Sequence, residues 1–243
     1  MPLHKAGNIN KVENYRGITL LCVLGKLFTS VINARLTSWA EKYNVYIETQ
    51  SGFRSGYSTI DNVFLLKNIV DRYINTGNKL YCCFIDFRKA FDYVTRLGLW
   101  YKLLRLGIRG NIIDIIRSMY TDVLSSVRDP HSFNISDNFE CPIGVRQGEC
   151  VSPFLFAMYI NDLEDNLHLY GKCGVTVYAL KLYMLLYDDD AMLFADSIVE
   201  LQNALNQLSI YCNKWKLILN TDKTKIIVLK KGGKVNENYS FFI

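Results

Sequence analysis

Two acidic features of the 243-residue sequence stand where carboxylates could do chemistry. Asp86 lies near the end of the apolar run Leu80–Phe87. Asp188, Asp189 and Asp190 separate two further apolar runs, Leu182–Tyr187 and Ala191–Ala195. The first run is too short for a stable helix, follows Thr76-Gly77-Asn78, and predicts a buried strand. The second pair predicts a tight hairpin with an acidic tip. Charges set among buried strands are costly unless something positive neutralises them. If strands 80–87 and 182–195 are sheet neighbours, Asp86 and Asp189 converge and could hold two Mg²⁺ ions, which favour oxygen ligands and keep positions for substrate phosphates. Two metals roughly 3.5–4 Å apart activate the attacking oxygen and stabilise the leaving one in phosphoryl transfer.

The competing reading of three consecutive aspartates is a solvated turn. A calcium loop fits badly: counted from Asp188, the fifth position is Met192, the required glycine is Leu193 and the twelfth residue is Val199. The apolar strands on both sides keep the metal reading open.

Several elements must position these groups. The first twenty-five residues predict a hairpin with a basic loop, its second arm running from Tyr15 to Leu24. Helices are expected over Lys26–Tyr43, with Leu27, Val31, Leu36 and Trp39 near helical spacing, and over Thr59–Ile74 after the Gly- and Ser-rich connection Gln50–Ser58. Leu97–Leu106 and Ile112–Tyr120 read as helices, Ser126–Pro142 as a hairpin or loop, and Gly144–Gly148 as a turn. A helix Pro153–Leu163 should follow, with Ser152 as its cap. Ser197–Trp215 is helical and Lys225–Leu229 is a strand. Helices first, then strands and helices mixed, indicate an α+β fold.

The 50% hydrophobic and 21% charged content is that of a globular chain, of a length that fits one large domain or two small lobes. Net charge is +5, yet lysines 214, 216, 223, 225, 230, 231 and 234 crowd the C-terminal part, which would suit a polyanionic partner or serve as a solvated tail. Seven cysteines with one close pair, Cys82 and Cys83, suggest neither a disulfide framework nor a zinc ribbon. MPLHKAGNINK lacks an apolar signal core, and runs such as Phe154–Ile160 are too short to cross a bilayer. A soluble intracellular protein of nucleus or cytoplasm, without a membrane partner, is expected.

Seven segments in order resemble the reverse transcriptase domain of non-LTR (LINE-type) retrotransposons. They are Asn14-Tyr15-Arg16-Gly17-Ile18 with Asn33-Ala34-Arg35-Leu36, Gln50-Ser51-Gly52-Phe53-Arg54, and Phe84-Ile85-Asp86-Phe87-Arg88-Lys89-Ala90-Phe91-Asp92. Gly144-Val145-Arg146-Gln147-Gly148, Ser152-Pro153, Tyr187-Asp188-Asp189-Asp190 and Asn220-Thr221-Asp222-Lys223-Thr224-Lys225 complete the set, so the resemblance covers nearly the whole chain.

The resemblance implies a right-hand polymerase fold. Residues 1–80 would form the fingers and 81–243 the palm, an antiparallel sheet flanked by helices, with an insertion at about 93–141 folding towards the fingers. It implies that Asp86 and Asp189 ligate two Mg²⁺ (Mn²⁺ as substitute), with Asp190 completing the acidic site. Phe91 matches the aromatic gate that excludes a 2′-hydroxyl by bulk, although core packing would also account for it. Gln147 matches a glutamine touching the incoming dNTP. Lys5 and Arg16 resemble the basic pair laid over the triphosphate, and Lys223 a general acid for pyrophosphate. An RNA template and a DNA primer are the implied partners. In two respects the chain departs from the pattern. Asp188 stands where the family commonly has alanine, and the chain stops where a primer-gripping hairpin and helical thumb would follow, so a fragment of a longer element is expected.

Three functions remain open on these residues: an RNA-directed DNA polymerase, a catalytically inactive remnant or RNA-binding module with the same fold, and a metal-dependent nuclease. The gate-and-glutamine pattern has no purpose in the last. The spatial relation of the strand aspartate to the hairpin tip is what separates them.

Overall fold

A computed structural model describes residues 1–129, 132, 134–171, 173–177, 180–232 and 240–242; Lys234 of the basic cluster lies outside them. The chain divides into two compact units, Met1–Tyr43 with Phe91–Tyr159, and Asn44–Ala90 with Ile160–Ile243.

In the first unit β1 (Pro2–His4) pairs antiparallel with β2 (Tyr15–Gly17), and α1 spans Val23–Lys42. The second arm of this hairpin is thus shorter than the expected Tyr15–Leu24. The Ile18 N–H still returns to the Met1 carbonyl, but the Thr19 N–H goes to the Gln147 carbonyl, which ends the ladder. Cys22 then accepts from the Gly25 N–H, starting α1 ahead of the expected Lys26. Its buried stripe is Thr29, Ile32, Leu36 and Ala40, whereas Leu27 and Val31 face solvent.

The second unit begins with α2 (Thr59–Thr76), opened by a Ser58/Asp61 capping box and closed by Gly77 in the left-handed region. β3 follows at Leu80–Asp86. Back in the first unit, α3 is Arg96–Leu106, α4 Asn111–Met119, and β4 (Leu124–Ser125) pairs with β5 (Phe139–Glu140). The segment expected as hairpin or loop is therefore a hairpin; Pro130, His131 and Phe133 within it lie outside the described residues. α5 (Ser152–Tyr159) buries every residue except Pro153 and packs against α1 and α3. Inside that packing the buried Lys102 donates to the carbonyl of Tyr159, the last residue of α5.

The expected helix 153–163 breaks at Ile160. Asn161 uses its side chain instead to accept from the Ile47 N–H and to donate to the Val45 carbonyl, and a short α6 (Leu163–Asn166) follows. β6 (Val175–Val177) and β7 (Leu180–Leu182) form a pair in a stretch to which the sequence reading assigned no element before Leu182. β8 (Met184–Tyr187), β9 (Asp190–Ala195), α7 (Ile198–Trp215) and β10 (Lys225–Leu229) complete the unit.

Its four-stranded sheet has the order β10-β3-β9-β8, with each pairing antiparallel. Leu80, Cys82, Met192, Phe194 and Leu185 form one core with Ile69 and Tyr73 of α2, while α7 contacts β3 and β9. Coverage of both faces explains why β3 is almost continuously apolar rather than alternating.

Candidate active site

The acidic hairpin is β8 and β9 joined by Asp188 and Asp189. Register sets Tyr187 opposite Asp190, and on the other side of β9 it sets Asp86 opposite Asp190. The strand carboxylate and the third hairpin aspartate are therefore direct cross-strand partners, with Asp189 in the adjoining turn. Asp190 is solvent-accessible, yet partial desolvation, then Asp189, then Asp86 hold its carboxyl above the usual carboxylate range, while the Lys223 charge pulls it down. Burial, followed by Asp189 and Asp190, pushes the Asp188 carboxyl up to about 6.

Asp86 is laced to the segment before β10. Its Oδ2 accepts from Asn220 Nδ2 at 2.7 Å and its carbonyl from the Asn220 N–H at 2.8 Å, while its own N–H donates to Thr224 Oγ1 at 3.4 Å. Lys223 sits in the intervening turn, its N–H on the Asn220 carbonyl, which brings its charge within reach of Asp190. The sequence reading named Lys223 but gave no part to Asn220. An amide two residues before an aspartate-lysine pair is a weak signal until its partner across the sheet is known.

Among the described residues no three His, Cys, Asp or Glu side chains form a ready-made metal cluster. Asp86 and Asp190 do supply carboxylate oxygens from facing strand positions. Asp189 and Asp86 both raise the Asp190 carboxyl, so the three carboxylates form one acidic cluster that a cation would neutralise. Magnesium commonly binds one or two carboxylates and completes its shell with water and substrate phosphates, so the donor set fits.

The hairpin tip is gripped by the segment before α2. Thr49 and Ser51 exchange backbone hydrogen bonds with Leu186, at 2.9 and 3.0 Å, along the β8 edge. The buried Gln50 places Oε1 on the N–H groups of Gly52 (2.9 Å) and Asp188 (3.2 Å) and donates from Nε2 to the Asp188 carbonyl at 3.3 Å. Asn62 donates to the Leu186 carbonyl and accepts from Ser51. Asp188 has a φ of 57°, a left-handed conformation that costs most L-residues roughly 1–2 kcal/mol but that Asp tolerates. Its Oδ1 is buried without a hydrogen-bond partner against Gly52, where a Cβ would come within 2.1 Å of it.

Lys5, Arg16, Phe91 and Gln147 belong to the first unit, and Asp86, Asp189, Asp190 and Lys223 to the second. Lys5 and Arg16 are exposed; Arg16 lies in β2 opposite Leu3, and the Lys5 N–H bonds the Asn14 carbonyl just past β1. Phe91 is half-buried and stacks on Phe156 with centroids 5.0 Å apart. Gly144 and Gly148, both at positive φ, bracket the turn carrying Gln147; a Cβ on Gly144 would meet the Asp92 carbonyl at 2.7 Å.

That turn is braced by a polar cluster absent from the sequence reading. Buried Glu149 accepts from Tyr120 (2.7 Å) and Arg146 (3.1 Å), while Arg146 and Arg96 each lie 5.1 Å from the Tyr120 ring centroid. Arg96 also donates to the Gly144 carbonyl at 3.1 Å. The signal was the buried-type helix α5 starting three residues after a glutamate, which obliges that charge to find partners.

A palm-like antiparallel sheet with carboxylates meeting at one end is the class of site found in template-copying polymerases. The chain matches the model of the reverse transcriptase (RNA-dependent DNA polymerase) family over residues 3–240, and it belongs to that family. It is 31% identical to a probable RNA-directed DNA polymerase from transposon BS of Drosophila melanogaster, over 91% of this chain and 24% of that protein. It is 27% identical to a Pol polyprotein from the type-1 retrotransposable element R2 of Popillia japonica, over 95% of this chain and 32% of the relative. The chain thus spans a third or less of the length of these curated relatives. Among solved structures, telomerase from Candida albicans in complex with a telomeric RNA fragment aligns with a TM-score of 0.60 at 18% identity, covering 84% of this chain and 35% of that one. Apo telomerase from Candida tropicalis aligns with a TM-score of 0.61 at 15% identity, covering 86% and 42%. These likenesses show the α+β fold. No helix among the described residues is long and apolar enough to cross a membrane.

Proposed function

We propose that the chain is the nucleotide-adding part of an RNA-directed DNA polymerase, joining dNTPs to a DNA primer on an RNA template. The observation that carries this reading is Asp86 facing Asp190 across β3 and β9, with Asp189 in the adjoining turn, in a chain of this family. Asp86, Asp189 and Asp190 would hold divalent cations, Mg²⁺ with Mn²⁺ as substitute. When bound, such ions ease ionisation of the primer 3′-hydroxyl and neutralise charge on the triphosphate.

In the reaction the primer 3′-hydroxyl releases its proton to solvent as its oxygen bonds to the α-phosphorus, the bond from that phosphorus to the bridging oxygen breaks, and pyrophosphate leaves. Lys223, whose ammonium lies close enough to Asp190 to act on its charge, gives the leaving pyrophosphate a proton. Asn220 holds the Asp86 carboxylate by one oxygen and leaves the other for a cation. Gln147, on its braced turn, contacts the incoming nucleotide, and Phe91 excludes the 2′-hydroxyl. Arg16 and Lys5 take the triphosphate, Arg by a two-donor fork and Lys as a point charge. Base pairing chooses the nucleotide, and the protein supplies position and charge. Residues 1–80 serve as fingers and the rest as palm, although residues 44–80 group with the strands of the second unit. The grouping of Phe91–Tyr159 with Met1–Tyr43 supports the return of the 93–141 region to the fingers side. The working compartment is the nucleus or cytoplasm, where such templates occur.

Primer extension on an RNA template with Mg²⁺ tests this. Addition of dNTPs by the parent and its loss in Asp86→Asn and Asp190→Asn are expected. Equal extension by parent and variants would remove the carboxylates from the chemistry.

A further inference from the structure

The hairpin turn that carries Asp189 is not held by β8 and β9 alone. Asp188, the residue before it, sits at a φ of 57°, and nothing in a two-residue turn engages both its N–H and its C=O. Gln50 does, accepting from the N–H at 3.2 Å and donating to the carbonyl at 3.3 Å, across 138 residues of sequence. The same Oε1 takes the Gly52 N–H, so the loop that presents Gln50 is tied to the turn it grips. Thr49 and Ser51 anchor this loop to Leu186 on the open edge of β8, and Asn62 locks Ser51 from α2. Fixing both ends of one residue's peptide groups fixes its φ and ψ. Through the chain, that fixes where the Asp189 and Asp190 carboxylates emerge.

We infer that Gln50 is a positioning residue of the acidic site: its amide sets the Asp188 backbone and thereby the carboxylates of Asp189 and Asp190. The inference rests on the polymerase reading above for its consequence, not for its geometry. Gln50 touches no reacting atom. Three features make the grip specific. Gln50 is buried, so its amide has no water to exchange for these partners. Both polar ends of the amide are used, so the side chain cannot be flipped without losing bonds. Gly52 admits the approach only because it lacks a Cβ, which would lie 2.2 Å from the Asp188 nitrogen.

The test compares the parent with Gln50→Met, which keeps length without hydrogen bonds, and Gln50→Glu, which keeps the acceptor and loses the donor. Hydrogen exchange is followed in peptides spanning Met184–Ala195 and, as a control, in α7. Exchange at the turn amides should be at least about tenfold faster in Gln50→Met and intermediate in Gln50→Glu, with α7 unchanged. In nucleotide addition kcat should fall by about ten- to a hundredfold, KM for dNTP should stay within about twofold, and half-activation should need severalfold more Mg²⁺. Unchanged turn exchange, or faster exchange throughout the unit, would overturn the inference, as would a loosened turn with the parent's kcat and Mg²⁺ requirement. If Gln50→Met does not fold, Gln50→Glu decides by the same readouts. A parent that adds no nucleotide would sink the polymerase reading, while the exchange comparison would still decide whether Gln50 holds the turn.

Discussion

Asp86 and Asp190 are direct cross-strand partners in the β3–β9 ladder, and the carboxyl of Asp190 is held above the ordinary range partly by Asp86 itself. Without a cation, this pair repels. Asp190→Asn should therefore raise Tm slightly in chelator, within about 1 kcal/mol because the group is exposed, and Mg²⁺ should stabilise the parent more than the variant. Thermal unfolding with and without Mg²⁺ checks this; equal Mg²⁺ stabilisation in both proteins would place the ion elsewhere.

Asp188 adds a third carboxylate whose Oδ1 is buried without a partner. Asp188→Asn removes the charge and keeps a residue that tolerates the left-handed region. Both Asp188→Asn and Asp188→Ala should raise kcat/KM for dNTP, and the alanine form should be less stable than the asparagine form by about 1 kcal/mol. Slower addition by both would mean that Asp188 is useful where it stands.

Phe91 is half-buried on Phe156. Phe91→Val should reduce the preference for dNTP over rNTP by at least about tenfold, roughly 1.4 kcal/mol, at a moderate cost in stability. Competition between the two nucleotides measures the ratio, and an unchanged ratio with lowered Tm would assign Phe91 to packing alone.

Glu164, which accepts from Thr49 in the loop that grips the hairpin, offers a pH test outside the carboxylate cluster. Burial raises its carboxyl, opposed by the hydrogen bond from Thr49. A carboxyl raised in the fold binds its proton more tightly there than in the unfolded chain, so the handicap is full above the folded value and disappears below the unfolded one. Glu164→Gln should stabilise the chain at pH 8, by about 1 kcal/mol or less, and make little difference at pH 4. Urea unfolding at the two pH values reads it, and the opposite ordering would contradict it.

Lys214, Lys216, Lys223, Lys225, Lys230 and Lys231 concentrate positive charge near the end of the second unit. Template-primer affinity should fall steeply and linearly with salt on logarithmic axes, with a slope of about −0.7 to −0.9 per phosphate neutralised. Filter binding at several salt concentrations tests this, and a flat response would remove the basic contact surface.

Much of this protein was written locally. Leu80–Asp86 is short, apolar and bounded by turn residues, so burial as a strand was its one good solution, and the break Asp188–Asp190 between apolar runs could hardly be anything but a hairpin tip. The apolar spacing of Thr59–Ile74 after a Gly- and Ser-rich connection marked α2 as plainly. These features are legible because dihedral preference, capping and hydrophobic period act within a few residues of one another. Other features came from partners far away in sequence. Helix 153–163 was broken by Asn161, which spends its amide on Val45 and Ile47, and of the apolar positions expected on α1 Leu36 is buried while Leu27 and Val31 face outward, because tertiary packing took Ile32 and Ala40. The order β10-β3-β9-β8, the register that sets Asp86 against Asp190 and the reach of Gln50 to Asp188 belong to the same kind. A slip of one residue would turn every side chain of a strand to the other face, and only the assembled core, with its buried polar groups satisfied, excludes that alternative. The sequence alone thus determined which carboxylates exist and which elements bear them. The tertiary structure decided which of them meet, because the energy that chooses a register is shared among residues more than a hundred positions apart.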